Sequence, residues 1–263
     1  MMISKKVVVI GAGAAGLMAG ATAALYGASV TIIEKNKRVG RKIMITGKGR
    51  CNLANNCDVQ TFINNVPVNG RFLYSAINAF TPEDTIEFFE SKGLKTKTER
   101  GNRVFPASDK SVDVVDTMHD YAVESGCKIV CDTANALILE DGAVIGVKCE
   151  ENTYYADSVI ICCGGKSYPL TGSTGDGYTL AKQAGHTIVP LKPSLVPFTS
   201  GDKQCKDMQG LALKNVALRI VDKNSKKTVY SDFGEMLFTH FGMSGPMILS
   251  ASSHIRDIQP DRY

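Results

Sequence analysis

The residues with the clearest chemical meaning lie within the first 16 positions. Gly11, Gly13 and Gly16 follow the apolar, β-branched run 7–10 with G-x-G-x-x-G spacing. In such a unit the first glycine allows a tight turn, the second lets the backbone approach a pyrophosphate, and the third lets a helix pack on the strand. The helix N-terminus attracts the phosphates. The spacing therefore predicts a dinucleotide site formed by Gly11, Ala12, Gly13, Ala14, Ala15 and Gly16.

A carboxylate follows at the distance that this kind of site requires. Glu34 ends the next apolar run, residues 29–33, and lies 18 residues after Gly16. A carboxylate there accepts hydrogen bonds from the hydroxyls of an adenosine ribose and repels a 2′-phosphate. The glycines alone would be a weak signal, but strand, turn, helix, strand and acid together are a specific one.

The most basic stretch of the chain comes directly after Glu34. Residues 35–50 contain seven Lys or Arg residues, interrupted by glycines at 40, 47 and 49. Its position favours a loop that crosses back over the pyrophosphate. There are two alternatives: the charges are solvated and have no specific role, or the segment binds RNA. RNA binding predicts aromatic residues between the charges for base stacking, and the segment 35–50 has none.

A second glycine-rich loop lies between residues 164 and 177. The run 158–163 is typical of a buried parallel strand and ends at Gly164 and Gly165, where the backbone can again approach a ligand. Residues 166–177 contain three glycines and four Ser or Thr residues. A helix cap would need only one Ser, Thr or Asp, so this composition favours a loop that binds anions and hydroxyls.

Periodicity and turn signals indicate the elements that position these residues. Residues 82–91 and 111–126 have helical spacing, with Ser111 or Asp113 as the cap of the second helix, and residues 99–106 read as a loop. The runs 128–130, 136–139 and 144–149 predict a β-meander. The fold class is therefore α/β, with a parallel sheet and a meander.

Three prolines, at 190, 193 and 197, mark a domain boundary. Beyond them residues 216–221 alternate and residues 228–230 return as a partner strand, and Ser244 caps a short helix that has Pro246 in its first turn. We expect a nucleotide-binding domain over residues 1–191 and the start of a β-rich second domain over residues 192–263.

Composition limits the class of protein. The 263 residues are 44% hydrophobic, and the formal net charge of +4 is too small to imply a nucleic-acid partner by itself. The eight cysteines form no C-x-x-C pair and no metal-ligand spacing with the four histidines, which predicts reduced thiols in a cytoplasmic protein without a metal site. Residues 7–25 contain four glycines and change from a strand to a helix pattern, so we expect neither a signal peptide nor a membrane span.

Six motifs carry a family resemblance. They are Gly-Ala-Gly-Ala-Ala-Gly at 11–16, Gly-Lys-Gly-Arg-Cys-Asn-Leu at 47–53, Arg-Val-Phe-Pro at 103–106, Cys-Gly-Gly-Lys-Ser-Tyr-Pro at 163–169, Gly-Ser-Thr-Gly-Asp-Gly-Tyr at 172–178 and Gly-Glu-Met-Leu-Phe-Thr-His-Phe-Gly-Met-Ser-Gly-Pro at 234–246. With them the chain resembles the BaiN-like flavoproteins, also called aminoacetone-oxidase-family FAD-binding enzymes. The resemblance implies a Rossmann-like FAD-binding domain of the glutathione-reductase type, with a β-rich domain inserted into it.

The resemblance also implies ligand contacts. Residues 11–16 would bind the pyrophosphate, Glu34 and Lys35 the adenosine ribose, and Ala134 the adenine through its backbone. Because residues 174–177 are similar to a Thr-Gly-Asp-Gly loop of fumarate-reductase-type flavoproteins, Asp176 would face the ribityl chain or the isoalloxazine edge. The residues that would line the pyrophosphate or the flavin are Arg41, Lys42, Thr46, Gly47, Lys48, Gly49, Arg50, Cys51, Asn52, Gly164, Gly165, Thr174, Gly175, Asp176 and Gly177.

The activity implied by the resemblance is that of an FAD-dependent oxidoreductase. Members are linked to reduction of conjugated C=C bonds in 3-oxo bile-acid intermediates, with NAD(P)H as reductant and an acid that protonates the α-carbon. Tyr168 and His240 are the proton-donor candidates. The alternatives are an amine oxidase that uses O₂, an RNA-handling flavoprotein and a non-catalytic remnant that binds FAD. We expect a small-molecule substrate, and neither a nucleic-acid nor a membrane partner.

The length of the chain departs from the family pattern. Relatives continue past the Ser-Gly-Pro motif, complete the inserted domain and return to the FAD domain with a final strand. Only 17 residues follow Pro246 here. We therefore expect this chain to be the N-terminal part of such a protein, without that final strand.

Overall fold

The computed structural model describes residues 4–255, 258–259 and 261–263. The chain divides into two compact units. The first unit consists of residues 1–62 and 74–188, and the second unit of residues 63–73 and 189–263.

The first unit contains a parallel sheet, two small antiparallel sheets and seven helices among its described residues. The strands are β1 (Lys6–Ile10), β2 (Ser29–Glu34), β3 (Ala54–Asn55), β4 (Thr96–Glu99), β5 (Arg103–Pro106), β6 (Lys128–Cys131), β7 (Ala134–Glu140), β8 (Ala143–Cys149), β9 (Thr153–Tyr155) and β10 (Ser158–Ile161). The helices are α1 (Ala14–Leu25), α2 (Arg41–Ile45), α3 (Val59–Asn64, whose last two residues belong to the second unit), α4 (Tyr74–Ala79), α5 (Pro82–Ser91), α6 (Ser111–Glu124) and α7 (Asp176–Gln183).

The parallel sheet has the order β10-β1-β2-β6 and is covered on both faces. Val9 of β1 packs with Leu17 of α1 and Val115 of α6 on one face. Val8 of β1 packs on the other face with Val147 of the meander β7-β8-β9. Strands buried on both faces read as continuous apolar runs, which is why β1 and β2 could be located from sequence. The predicted α/β class, with its parallel sheet and meander, is confirmed.

Small residues bring α1 close to this sheet. A Cβ at Gly16 would collide with the carbonyl oxygen of Gly11, and a Cβ at Gly20 would lie 2.6 Å from Cδ1 of Ile32. The helix therefore begins directly against the turn that follows β1, as the G-x-G-x-x-G spacing predicts.

Two predictions about the strands of this unit are wrong. Residues 99–106 are not a loop, because β4 and β5 pair antiparallel and turn at Gly101 and Asn102, both of which have positive φ. The polar run Thr96–Glu99 gave no apolar alternation that would mark a strand. Residues 128–130 belong to β6, which pairs parallel with β2 rather than with the meander. A run this short, with only Ile129 and Val130 apolar, does not specify its sheet.

The predicted cap of α6 is also wrong. The N-cap residue is Lys110, and neither Ser111 nor Asp113 occupies that position. Ser111 is buried, and its hydroxyl donates a hydrogen bond to the carbonyl of Met44 at 2.9 Å. Its side chain therefore joins α6 to the end of α2 instead of capping its own helix.

The second unit contains a four-stranded antiparallel sheet of order β11-β14-β13-β12. Its elements are β11 (Phe198–Thr199), α8 (Lys203–Asp207), β12 (Ala212–Val221), β13 (Thr228–Thr239), β14 (Gly242–Ser244) and α9 (Pro246–His254). The predicted partner strand at 228–230 is the first quarter of β13. Ser244 lies in β14, and the N-cap of α9 is Gly245, so the predicted Ser244 cap is wrong.

Candidate cofactor site

A cavity of about 860 Å³ opens in the first unit. Its walls include the turn after β1 and residues at the carboxyl ends of β2, β6 and β10. Open α/β sheets bind ligands at this edge, and cavities of about 300–1,000 Å³ are usual for small molecules and cofactors. The position and size of the cavity therefore suit a nucleotide cofactor.

The glycine turn forms one wall of this cavity. Gly11 has φ +102, and a Cβ there would lie 2.6 Å from the carbonyl oxygen of Cys162. Gly13 is the N-cap of the 12-residue helix α1, and a Cβ on it would meet no atom within 4 Å. The turn thus leaves open space in front of a helix N-terminus, which is where a pyrophosphate would bind.

Glu34 links this turn to the end of β2. Its buried carboxylate accepts a hydrogen bond from the Ala12 amide at 2.8 Å, and from the amide and side chain of Asn36 at 2.9 and 2.6 Å. A carboxylate has about four acceptor positions, so Glu34, which lines the cavity, retains capacity for a ribose hydroxyl.

Lys35 lies next to Glu34 and reaches the second glycine-rich loop. Its Nζ donates to Oγ1 of Thr174 at 2.8 Å and forms an ion pair with Oδ2 of Asp176 at 2.6 Å. Burial would raise the pKa of Asp176, but the hydrogen bonds from Lys35 and Thr174 outweigh it and hold that pKa below its usual range. An ion pair therefore links Lys35, which the resemblance assigns to the ribose, to Asp176, which it assigns to the flavin side.

The loop 46–52 has an unusual backbone. Gly47, Lys48, Gly49 and Cys51 all have positive φ. Arg50 turns away from the cavity: its guanidinium donates to Glu99 at 2.8 and 3.0 Å and to Asp109 at 2.9 Å, and lies 4.0 Å over the Phe105 ring. Arg50 thus anchors the loop to the β4-β5 hairpin.

Sequence reasoning missed Asp132, which follows β6 and lines the cavity. It is 5% exposed and accepts hydrogen bonds from the amides of Thr133, Glu151 and Asn152 at 2.8, 3.1 and 3.1 Å. Burial would raise the pKa of Asp132, but these hydrogen bonds lower it on balance. The carboxylate fixes the backbone that leads to Ala134. An acid directly after an apolar strand, the signal that located Glu34, could have located it.

The cavity brings together many of the predicted cofactor residues. Those that line it are Gly11, Gly13, Ala14, Ala15, Glu34, Lys35, Arg41, Lys42, Thr46, Cys51, Asn52, Ala134, Gly164 and Asp176. Those outside its lining are Ala12, Gly16, Gly47, Lys48, Gly49, Arg50, Gly165, Thr174, Gly175 and Gly177. Lining residues that were not predicted include Asn36, Asp132, Thr133 and Ser173. The contacts of each with a cofactor stay predictions.

The two proton-donor candidates lie outside this lining. Tyr168 is 67% exposed and precedes the short 3₁₀ helix Pro169–Thr171. His240 belongs to the second unit, where it is exposed between β13 and β14 and its ring centroid lies 5.0 Å from that of Phe241. Their catalytic roles stay predictions.

Three thiols line the cavity: Cys51, Cys162 and Cys163. All eight cysteines, each within the described residues, are free. Burial raises the pKa of these three thiols, and it raises that of Cys163 to about 11. The thiols are therefore protonated near neutral pH. Among the described residues no three His, Cys, Asp or Glu side chains are grouped to hold a metal, and no helix has the length and apolarity to cross a bilayer.

Comparison with known proteins identifies relatives over almost the whole chain. A family model described as HI0933-like protein Rossmann domain matches residues 5–251. A 3-dehydro-bile acid delta(4,6)-reductase from Clostridium scindens is 31% identical over 250 residues, 94% of this chain and 59% of the relative. A ribosomal RNA dihydrouridine synthase from Escherichia coli is 30% identical over 248 residues, 94% and 60% respectively. The chain thus spans about three fifths of the length of these curated relatives.

Solved structures show the same fold. The open conformation of a flavocytochrome c3 fumarate reductase has a TM-score of 0.55 at 20% identity, covering 81% of this chain and 47% of that one. Mycobacterium smegmatis Sdh1 has a TM-score of 0.53 at 20% identity, covering 69% and 38%. Together with the family match, these similarities confirm the resemblance drawn from the six motifs and the Rossmann-like fold.

Proposed function

This chain belongs to the HI0933-like family, and we propose that it is the FAD-binding part of a flavin-dependent oxidoreductase. One observation carries the proposal: the open space at Gly13 and the buried carboxylate of Glu34 face the same cavity. Bound FAD would supply hydride transfer, and the protein would supply position and polarity.

The residues around the cavity fit FAD from end to end. The turn at Gly13 would hold the pyrophosphate, Glu34 the ribose hydroxyls, and the backbone at Ala134 the adenine. Loop 46–52 and Gly164 would border the flavin. Glu34 disfavours NADP because its carboxylate would repel a 2′-phosphate.

We propose reduction of a C=C bond conjugated to a carbonyl as the reaction class. The names of the relatives support it, since a delta(4,6)-reductase and a dihydrouridine synthase both saturate ring double bonds. In such a reaction hydride adds to the β-carbon and an acid protonates the α-carbon. Tyr168 and His240 are the proposed acids, NAD(P)H is the proposed reductant, and a small apolar enone such as a 3-oxo bile acid is the first candidate substrate.

Uridine in RNA is the second candidate substrate. Charge favours it: in the second unit 11 Lys and Arg residues exceed 7 Asp and Glu residues, whereas 19 of each balance in the first unit. The whole net charge of +4 therefore belongs to the unit outside the cofactor site. A localised excess of cations attracts polyphosphates.

Release of the cofactor tests the first part of the proposal. The purified protein is heat-denatured and the released nucleotide is identified. We expect FAD, and recovery of a nicotinamide dinucleotide alone would contradict the proposal.

Flavin absorbance then tests the substrate class. We expect the anaerobically reduced protein to be reoxidised by a 3-oxo enone or by uridine-containing RNA. Reduction of the oxidised flavin by aminoacetone, with no reoxidation by either alkene, would instead establish amine oxidation.

A further inference from the structure

The hairpin β12-β13 has one packed face and one open face. On the packed face, Met236 forms a cluster with Met247 and Ile248 of α9. On the open face, Phe233 is 67% exposed and pairs across the strands with Ala217. Arg219, two positions after Ala217 on the same face, is also exposed. This alternation is that of a sheet with one buried side.

Cations dominate the exposed surface of the hairpin. Within residues 212–239, all of which are described, Asp222 is buried and paired with Arg262 at 2.9 Å, and Asp232 accepts a hydrogen bond from Tyr230 at 2.8 Å. Glu235 is the one exposed acid there. The exposed cations, none in an ion pair with another described residue, are Lys214, Arg219, Lys223, Lys226 and Lys227.

Phe233 lies among these charges with its ring accessible. Its cross-strand partner is Ala217, whose methyl group is too small to cover an aromatic ring. An exposed aromatic ring beside cations is the arrangement on which proteins stack unpaired bases while they neutralise phosphates. Lys227 directly precedes β13 and lies six residues from Phe233, about 20 Å along an extended chain, so the surface can follow several nucleotides.

We propose that the open face of the β12-β13 hairpin, with Phe233 as stacking platform and Arg219, Lys226 and Lys227 as phosphate contacts, binds single-stranded RNA. The inference rests on the second candidate substrate. Base stacking requires an unpaired base, which favours a loop or single strand over a duplex. The basic segment 35–50 lacks aromatic residues, so the hairpin is the better surface for this partner.

Fluorescence anisotropy with a labelled RNA carrying an unpaired uridine-rich loop tests the proposal. We expect Phe233→Ala to weaken binding roughly 5- to 150-fold without changing its salt dependence, and Phe233→Tyr to restore it. We expect the double variant Lys226→Ala, Lys227→Ala to reduce the slope of log affinity against log salt by roughly 0.7 for each phosphate that is no longer neutralised.

Matched controls separate this surface from unspecific attraction. Tyr26→Ala removes an aromatic residue that is 90% exposed in the first unit, and Lys203→Ala with Lys206→Ala removes two exposed charges elsewhere in the second unit. Both should bind RNA more tightly than the hairpin variants. Three outcomes would overturn the proposal. Phe233→Ala could bind RNA as tightly as the native protein, the two lysine double variants could lose the same RNA affinity, or duplex RNA could bind as tightly as single-stranded RNA. Binding of anionic vesicles without binding of RNA would also overturn it, and would assign the face to a membrane.

Flavin content is measured in the same samples. A hairpin variant that keeps its FAD and its melting temperature but loses RNA supports the inference. A protein without FAD that still binds RNA through Phe233 contradicts only the proposed oxidoreductase function.

Discussion

Asp132 in the first unit and Asp222 in the second are buried to the same degree, at 5% exposure each. Both accept backbone hydrogen bonds that close a turn: Asp132 from Thr133, Glu151 and Asn152, and Asp222 from Asn224 and Ser225 at 2.8 and 3.1 Å. In both cases burial would raise the pKa of the carboxyl group, but the hydrogen bonds outweigh burial and the pKa is lowered. Their local chemistry is nearly the same.

The surroundings of these two carboxylates differ. Asp222 is neutralised by Arg262 at the end of a hairpin. Asp132 has no cation among its described partners, and the backbone that it fixes lines the cavity. A buried carboxylate therefore does not mark a ligand site by itself. We expect a ligand site only where the backbone that the carboxylate holds forms a wall of a cavity, as it does at Asp132.

The largest expected effect on FAD binding is that of Gly13→Val in the first unit. Gly13 has φ −82, so a side chain is tolerated by the backbone, and its Cβ would enter only the open space in front of α1. We expect a folded protein whose FAD affinity falls at least about 30-fold, or about 2 kcal/mol. Equal flavin content in this variant and the native protein would refute the pyrophosphate position.

Gly142→Ala is the matched control for that variant. Gly142 also has open space around its Cβ position, but its φ is +78 and it lies in the β7-β8 turn away from the cavity. Strain should therefore cost about 1 kcal/mol of stability and leave FAD binding intact.

The next effect is expected from Glu34→Ala. Lost hydrogen bonds to the ribose should weaken FAD binding by about 1–3 kcal/mol. The variant should also melt at a lower temperature, because the buried Ala12 amide loses its acceptor. Glu34→Gln keeps an acceptor and should recover part of that stability. An unchanged FAD titration in Glu34→Ala would exclude Glu34 from the site.

The sequence located those features whose cause is local. The turn at Gly11 and the acid at Glu34 could be predicted because a dinucleotide-binding unit has residue types at fixed spacing. The pairing of Arg50 with Glu99 and Asp109 could not be predicted, because these carboxylates lie 49 and 59 residues away and no local pattern records such a contact. The grouping of residues 63–73 with the second unit is equally non-local.

A smaller effect directly tests the two carboxylates. We expect Asp132→Asn to lower FAD affinity while leaving FMN affinity unchanged, because its backbone contacts border the proposed adenine site. Asp222→Asn should lower the melting temperature and leave both affinities unchanged. A loss of FAD affinity that is equal in the two variants would show that Asp132 acts only through stability.

The pH dependence of these carboxylates has a definite sign. Each pKa is lowered in the folded state from an ordinary value of 3.8, so the stabilisation is complete above that value and is lost as pH falls through the folded pKa. Acid unfolding should therefore begin below about pH 4 in the native protein. Each Asn variant should lose less stability in that range.

The smallest effect concerns the thiols of the first unit. Burial raises the pKa of Cys149 and Cys163 from 9.0 to about 11. The unfolded chain therefore loses these protons first, and the stabilisation from burying the neutral thiols should be fully present below pH 9 and decline as pH rises toward 11.

Because the thiols stay protonated at about pH 8, Cys163 should react slowly with iodoacetamide while exposed Cys131 reacts readily. For the same reason the flavin should show no thiolate charge-transfer band. If such a band appeared and Cys51→Ala or Cys163→Ala abolished it, the thiol would take part in chemistry at the cofactor and would not serve packing alone. Thermal melting of Cys163→Ala, which should lose less stability between pH 9 and 11 than the native protein, checks the same assignment without a flavin.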